Sequence, residues 1–165
     1  MLRAAAQPVA EIDGALAKLV GDMIDTMYDA PGVGLAAPQI GISRRVVVFD
    51  AGEGPQTLIN PELIEVAKGE VGPDPTFDTD EQYEYEEGCL SVPGYYWLIT
   101  RPAFAWARGL DLDGNEVEHW GNELLGRVLQ HEVDHLNGTL LIERLDRKTR
   151  KSALRDLRND ALGLA

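Results

Sequence analysis

Residues 130–138 read Gln130-His131-Glu132-Val133-Asp134-His135-Leu136-Asn137-Gly138, and the fold prediction starts from this stretch. Residues four apart lie on one face of a helix about one turn from each other, so the imidazoles of His131 and His135 can reach one metal ion. Glu132 lies beside the first of these ligands, where its carboxylate can reach a water on the ion without binding the ion itself. The alternative is a helix with two solvated histidines. Because the chain has only three histidines, chance alone would rarely place two of them at this spacing around a glutamate. The stretch therefore predicts a metal-binding helix with hydrolytic chemistry.

The helix that carries this motif is expected to lie at the centre of the fold. Asn122 can cap its N-terminus, and Gly138 can follow its C-cap. Between them, apolar residues recur at helical spacing, at Leu124, Leu125, Val128, Leu129 and Leu136. This apolar face argues against full exposure of the two histidines.

A catalytic site of this kind needs a third protein ligand and an open position for water or substrate. The position of a third histidine in many metalloproteases is Leu141 here, and Glu143 is too near the motif to act as a distant glutamate ligand. Cys89 is the single cysteine and cannot form an internal disulfide. Its thiolate would be a strong ligand for a borderline or soft divalent ion, although a buried or surface thiol or a nucleophile also remains open. His119 is the competing ligand, and its place in a predicted strand makes Cys89 the better candidate.

The rest of the chain predicts short strands and two further helices. Helical spacing predicts one helix over about 12–29, ended by Pro31-Gly32, and a charged, Leu-spaced helix over about 146–159. Extended segments are predicted at 46–49, 57–59, 63–66 and 139–142, and an exposed loop over 69–87 runs into a strand. The segments 104–107 and 115–118 flank Asp113-Gly114, which predicts a hairpin. The elements are not in βαβ order. They favour an α+β fold in which short antiparallel sheets pack around the central helix with the HExxH motif.

Length, charge and hydropathy narrow the class of protein. The 165 residues and 18.1 kDa fit a single domain over residues 1–165. A net charge of −13 argues against broad nucleic-acid binding, so we expect no DNA partner. No apolar run approaches the roughly 20 residues of a membrane helix, and no signal peptide is recognisable, so we expect no membrane partner and a cytoplasmic location.

Three segments together resemble the signature motifs of the peptide deformylase family, in order and over most of the chain. They are Gly32-Val33-Gly34-Leu35-Ala36-Ala37-Pro38-Gln39, Glu87-Gly88-Cys89-Leu90-Ser91 and residues 130–138. The resemblance implies removal of the formyl group from the N-terminal formyl-methionine of newly made proteins, with release of formate. It also implies that Cys89, His131 and His135 hold one divalent metal ion, most often Fe²⁺, which Zn²⁺, Ni²⁺ or Co²⁺ can replace.

The resemblance implies further roles within the same site. Glu132 would be the general acid and base, and the Gln39 side-chain amide and the Leu90 backbone N–H would donate to the formyl oxygen. Gly34 would offer backbone contact to the substrate, while Val128 and Leu124 would line a methionine pocket. Taken alone, Gln39 could merely cap a turn, and the two apolar residues could be plain core.

Other interpretations stay open at this stage. The segment 32–39 looks too rich in glycine for an ordinary strand. Glu87 is similar to a structural glutamate of the family, and Arg101 could form an ion pair with Glu87. The basic C-terminal helix would dock on the ribosome or be a solvated helix with internal ion pairs. A different HExxH peptidase and a non-catalytic metal-binding module are the alternative functions, disfavoured by the missing third histidine and by the lack of a fourth ligand.

Overall fold

The computed structural model describes residues 2–66, 73 and 80–163, which form three helices and seven strands. The helices are α1 (Gly14–Asp29), α2 (Glu123–Leu136) and α3 (Arg147–Ala161). The strands are β1 (Gly34–Ala36), β2 (Val46–Phe49), β3 (Gln56–Leu63), β4 (Gln82–Gly88), β5 (Tyr96–Pro102), β6 (Ala105–Leu110) and β7 (Glu116–Gly121). The order of elements and their antiparallel pairing confirm the predicted α+β class.

Two antiparallel sheets organise the chain. The larger sheet has the strand order β1-β2-β3-β6-β7, so β1 and β7 are its edges. The smaller sheet is a ribbon of β4 and β5, in which Glu87 pairs with Trp97 and Gly88 with Tyr96. Cys89 directly follows β4, in the segment that connects the two strands of this ribbon.

Helices cover both faces of the larger sheet. On β2, Val46 and Val48 pack with α1, while Val47 and Phe49 pack with α2, because successive side chains of a strand point to opposite faces. All four are buried, and full burial of one such side chain contributes about 1.5–3 kcal/mol. The central helix α2 is thereby fixed against the sheet, as predicted.

The predicted helices agree closely with the structure. Helix α1 begins after Asp13, whose carboxylate accepts a hydrogen bond from the N–H of Leu16 at 2.8 Å. Asn122 is the N-cap of α2 but makes no side-chain capping bond. Gly138 follows the C-cap with a φ of 75°, a left-handed conformation that favours glycine. Helix α3 begins after Asp146, close to the predicted start.

The hairpin prediction is confirmed, but three strand predictions were wrong. The segments 57–59 and 63–66 are not two strands: residues 56–63 form one strand with a register shift between Ile59 and Glu62. The glycine-rich segment does contain a strand, β1, followed by a 3₁₀ turn at Ala37–Ile40. The predicted extended segment at 139–142 instead leads into a 3₁₀ turn at Leu141–Glu143, since the Glu143 carboxylate accepts from the N–H of Leu140 at 2.9 Å.

The predicted loop over 69–87 lies largely outside the described residues up to 79, and its end runs into the strand β4, which already begins at Gln82. Among the helices of the described residues, each is too short or too polar to cross a bilayer.

Candidate metal centre and active site

A sulfur atom and two imidazole nitrogens converge where α2 faces the end of β4. The Sγ atom of Cys89 lies 3.2 Å from Nε2 of His135, and this nitrogen lies 3.2 Å from Nε2 of His131. All three ligand atoms lie within 4.8 Å of one another. Ligand atoms about 2.0–2.3 Å from a tetrahedral ion lie roughly 3.3–3.7 Å apart. The spacing and the nitrogen and sulfur chemistry of this set therefore fit one divalent ion.

Local structure explains why these side chains meet. The two histidines are one turn apart on α2, so both rings point to the same side of the helix. Cys89 directly follows β4, and the carbonyl of Cys89 accepts a hydrogen bond from the N–H of Val92 at 2.9 Å. This turn and the β4–β5 pairing hold the thiol opposite the helix.

The surroundings of Cys89 favour its ionised form. Burial by itself would raise the pKa of the thiol, but hydrogen bonds and charge interactions from His131 and His135 outweigh burial and lower the pKa to about 5. A thiolate is the form that binds metal ions. Cys89 is thus expected as a thiolate at neutral pH, the form in which cysteine binds a metal ion.

A buried network of charges supports His131 from behind. Nδ1 of His131 lies 3.1 Å from Oε2 of Glu87, and Arg101 donates to both oxygens of the same carboxylate at 2.7 and 3.0 Å. Arg101 also donates to Asp134 at 2.9 Å, and Asp134 in turn pairs with Arg144. Burial would raise the pKa of Glu87, but the bonds from His131 and Arg101 hold it below its usual value. The predicted Glu87–Arg101 pair is confirmed.

Glu132 is buried beside the cluster of Cys89, His131 and His135. One of its oxygens, Oε2, has no hydrogen-bond partner among the described residues, and burial raises the pKa of the carboxyl above its usual value. The other oxygen lies against the backbone of Gly34, where an added Cβ would overlap it and would lie 2.7 Å from Cγ2 of Val128. The absence of a side chain at Gly34 leaves room for the Glu132 carboxylate.

Gln39 is held with its amide nitrogen toward the thiol. Its Oε1 accepts a hydrogen bond from the N–H of Ala36 at 2.7 Å. Its Nε2 lies 3.6 Å from Sγ of Cys89 and 3.3 Å from Oγ of Ser91. The Gln39 side chain therefore caps a turn, which was the alternative role considered from the sequence, and it also places an N–H donor beside the Cys89 thiol.

The whole chain is similar to proteins of one family. A family model described as polypeptide deformylase matches residues 1–151. The chain belongs to the peptide deformylase family. A peptide deformylase of Clostridium botulinum is 46% identical over 148 residues, which span 90% of this chain and 92% of that protein.

Solved peptide deformylases share the fold. The crystal structure from Legionella pneumophila has a TM-score of 0.82 at 40% identity and covers 97% of this chain and 89% of its own. The structure from Synechococcus elongatus in complex with actinonin has a TM-score of 0.81 at 34% identity and covers 99% and 83%. The chain is accordingly a metal-dependent hydrolase that removes the N-formyl group from nascent peptides.

The deformylase centre opens into a pocket of about 420 Å³. Eight of the nine residues predicted for the site line it: Cys89, His131, Glu132, Gln39, Leu90, Gly34, Val128 and Leu124. The ninth, His135, is not among the lining residues, and its Nε2 lies 3.2 Å from Sγ of Cys89. The competing ligand His119 is elsewhere, with its ring 5.1 Å from that of Phe49.

Sequence reasoning missed several residues of this peptide deformylase site. Asp134 lies inside the motif, and its place on the buried side of an amphipathic helix could have signalled a buried ion pair. Arg127 lines the pocket, and its guanidinium lies over the ring of Tyr85, 4.8 Å from the centroid. Glu86 also lines the pocket, which no sequence pattern indicated.

Proposed function

We propose that deformylation of N-terminal formyl-methionine takes place at the centre formed by Cys89, His131 and His135. The observation that carries the proposal is the meeting of one thiol and two imidazoles within 4.8 Å, with Glu132 beside them in one pocket. A thiolate and two imidazoles are suitable ligands for first-row metals, and we propose Fe²⁺ as the ion, with Zn²⁺, Ni²⁺ or Co²⁺ as replacements. When bound, the ion supplies a Lewis acid that lowers the pKa of water toward about 7.

Glu132 is proposed to move the proton. It takes a proton from the attacking water as the oxygen adds to the formyl carbon, and it returns a proton to the amine nitrogen as the carbon–nitrogen bond breaks. The products are formate and the free N-terminal amine. Burial raises the pKa of Glu132 above its usual value, which supports this role, since a raised pKa makes the carboxylate a stronger base toward water and the resulting acid can return the proton.

Gln39 and Leu90 are proposed to stabilise the developing charge on the formyl oxygen. The Gln39 Nε2 atom lies 3.6 Å from the sulfur of Cys89, so its N–H faces the region where that oxygen would form. Leu90 directly follows Cys89, and we assign its backbone N–H the second bond. Removal of one such donor typically costs about 3–4 kcal/mol of transition-state stabilisation.

The rest of the pocket is proposed to take the methionine and the backbone that follows it. Val128 and Leu124 line the pocket next to the metal ligands and offer apolar surface to the side chain. Gly34 belongs to β1, an edge of the larger sheet, and an edge strand can bind an extended peptide through its backbone.

We also propose a single domain over residues 1–165, a cytoplasmic location and a ribosomal contact through α3. Lys148, Lys151 and Arg155 are exposed along this helix, which supports contact with an RNA surface. Replacement of all three by Gln should weaken ribosome binding in low salt and reduce its salt dependence. Deformylation of short peptides should persist, and unchanged ribosome binding would reject this contact.

The decisive experiment compares formyl-Met and acetyl-Met peptides, with formate release as the readout. Protein is loaded with Fe²⁺ without oxygen, because oxygen can oxidise both the iron and the Cys89 thiolate. We expect turnover of the formyl peptide alone. A peptidase would cleave the peptide bond instead, and a structural metal module would turn over neither substrate. Parallel loading with Zn²⁺, Ni²⁺ and Co²⁺ and analysis of the metal in protein purified without oxygen test the ion.

A further inference from the structure

The C-terminal helix reaches the rim of the substrate pocket through one hydrogen bond. Tyr95 lines the pocket, and its hydroxyl donates to the carboxylate of Asp160, which lies in the last turn of α3. This bond joins two residues that lie far apart in sequence. It links a helix that supplies no ligand to the rim of the active site.

A second contact restricts the Tyr95 ring from its other side. The ring stacks on Trp97, with centroids 5.5 Å apart and planes at 17°. Trp97 packs against a buried cluster that includes Ile99 of β5 and Ala153 of α3, with Leu157 at its margin. The ring is therefore held at its face by the tryptophan and at its hydroxyl by the helix.

Tyr95 is also tied to the metal ligand Cys89 by two consecutive turns. The N–H of Tyr95 donates to the carbonyl of Val92 at 3.3 Å, and the N–H of Val92 donates to the carbonyl of Cys89 at 2.9 Å. Leu90, which supplies the second proposed donor to the formyl oxygen, lies inside the first turn. A shift of Tyr95 would thus be passed along a short, hydrogen-bonded loop.

The geometry points to Asp160 as a positioning residue for substrate binding. By accepting the hydrogen bond from Tyr95, it holds the aromatic ring at the pocket rim and, through the loop 89–95, the backbone around Leu90. This inference rests on the proposed function, because it requires that the pocket takes the formyl-methionyl chain. Among the described residues, the side-chain hydrogen bond of Asp160 is with Tyr95 and not with a proposed metal ligand.

The donor keeps its proton over the working range of pH. The hydrogen bond to Asp160 is the main cause that raises the pKa of Tyr95 to about 12, and burial and the negative charges of Asp160 and Asp156 act in the same direction. The phenol therefore stays protonated, so the contact persists at neutral and alkaline pH.

The test measures kcat and KM for formyl-Met-Ala-Ser with the full chain and four variants. They are Asp160→Ala, Asp160→Asn, Tyr95→Phe and the double variant Tyr95→Phe/Asp160→Ala. The matched control is Asp156→Ala, which removes the same charge one turn earlier on α3 without removing the bond to Tyr95. Circular dichroism checks that each variant is folded. If Asp160→Ala perturbs the helix, Tyr95→Phe still tests the contact, because it removes only the hydroxyl oxygen.

Loss of one hydrogen bond of this kind should raise KM by about three- to tenfold in Asp160→Ala and Tyr95→Phe, with a smaller change in kcat. Asp160→Asn keeps an acceptor and should restore KM toward the wild-type value. The double variant should be no worse than either single variant, because both remove the same bond.

KM within twofold of wild type in Asp160→Ala, or an equal rise in Asp156→Ala, would overturn the inference. Failure of the wild-type chain to release formate would instead reject the proposed function, so the two failures are distinct.

Discussion

The Nδ1 atom of His131 lies 3.1 Å from Oε2 of Glu87, and this contact joins α2 to β4 behind the metal centre. Because a carboxylate can only accept, Nδ1 carries a proton in this contact, and Nε2 is the ring nitrogen that faces His135 and Cys89. The same carboxylate is bound by Arg101, so the ring of His131 is oriented by a fixed charge rather than by packing alone. A histidine held in this way is prepared for metal binding.

Replacement of Glu87 by Gln should weaken metal binding by about 10- to 100-fold, because loss of such a supporting contact frees the ring and lowers its basicity. Competition with a chelator measures the affinity. Glu84→Gln is the control, since Glu84 lies on the exposed face of the same strand. An affinity in Glu87→Gln equal to that of the control would show that the contact does not support the ligand.

Glu132→Gln should keep its metal but lose about 10²–10⁴ in kcat, the usual contribution of a general acid or base. Elemental analysis and formate release measure the two properties on the same sample. His131→Ala is the comparison, and it should lose the metal. If Glu132→Gln loses metal to the same degree, Glu132 is a ligand rather than the proton carrier.

Gly34→Ala should lower activity strongly, because the new Cβ would overlap Oε1 of Glu132 and lie 2.7 Å from Cγ2 of Val128. Overpacking of this kind typically costs about 1–3 kcal/mol of unfolding free energy. Gly21→Ala is the matched control: its added Cβ meets nothing within 4 Å on α1, and it should stabilise by about 0.5–1 kcal/mol. Urea unfolding and kcat are measured for both. Full activity in Gly34→Ala would mean that Glu132 tolerates displacement.

Arg101→Met should destabilise the fold by about 3–5 kcal/mol, because it leaves the carboxylates of Glu87 and Asp134 buried without their shared partner. Arg108→Met is the control from β6, a strand of the larger sheet: Arg108 is half-exposed and lies 4.0 Å from Glu116, so its loss should cost about 0–1 kcal/mol. Urea unfolding measures both. Similar losses in the two variants would contradict the role of the buried network.

The N-cap of α3 should make stability depend on acid pH. The side-chain hydrogen bond from Thr149, with backbone bonds from Thr149 and Lys148, lowers the pKa of Asp146 below its usual 3.8. Because the pKa of Asp146 is lower in the folded than in the unfolded state, its ionisation stabilises the fold at pH values above the unfolded-state pKa. This contribution is lost as the pH falls through the folded-state pKa. Wild type should melt at a higher temperature than Asp146→Ala at pH 6, and the difference should shrink below about pH 4. A constant difference from pH 6 to pH 3 would exclude ionisation as its source.

Strand boundaries show where sequence reasoning reached its limit. Asn60-Pro61 looked like a break between two strands, yet the chain continues as β3 because Asn60 takes a φ of 53° and its side chain bonds the backbone of Val9 at 2.8 and 2.9 Å. The partner that makes this bulge possible is distant in sequence. No local pattern indicates it.

The meeting of His131 and His135 was determined by the sequence alone, because the helical period places residues four apart on one face whatever surrounds them. The helices and the hairpin followed from patterns of similar local range. Spacing left the third ligand open between Cys89 and His119, and only the packing of the β4–β5 ribbon against α2 decided where the thiol lies. The partners of Asp134 and the bond from Tyr95 to Asp160 were likewise decided by tertiary structure, since each joins elements that meet only after the chain has folded.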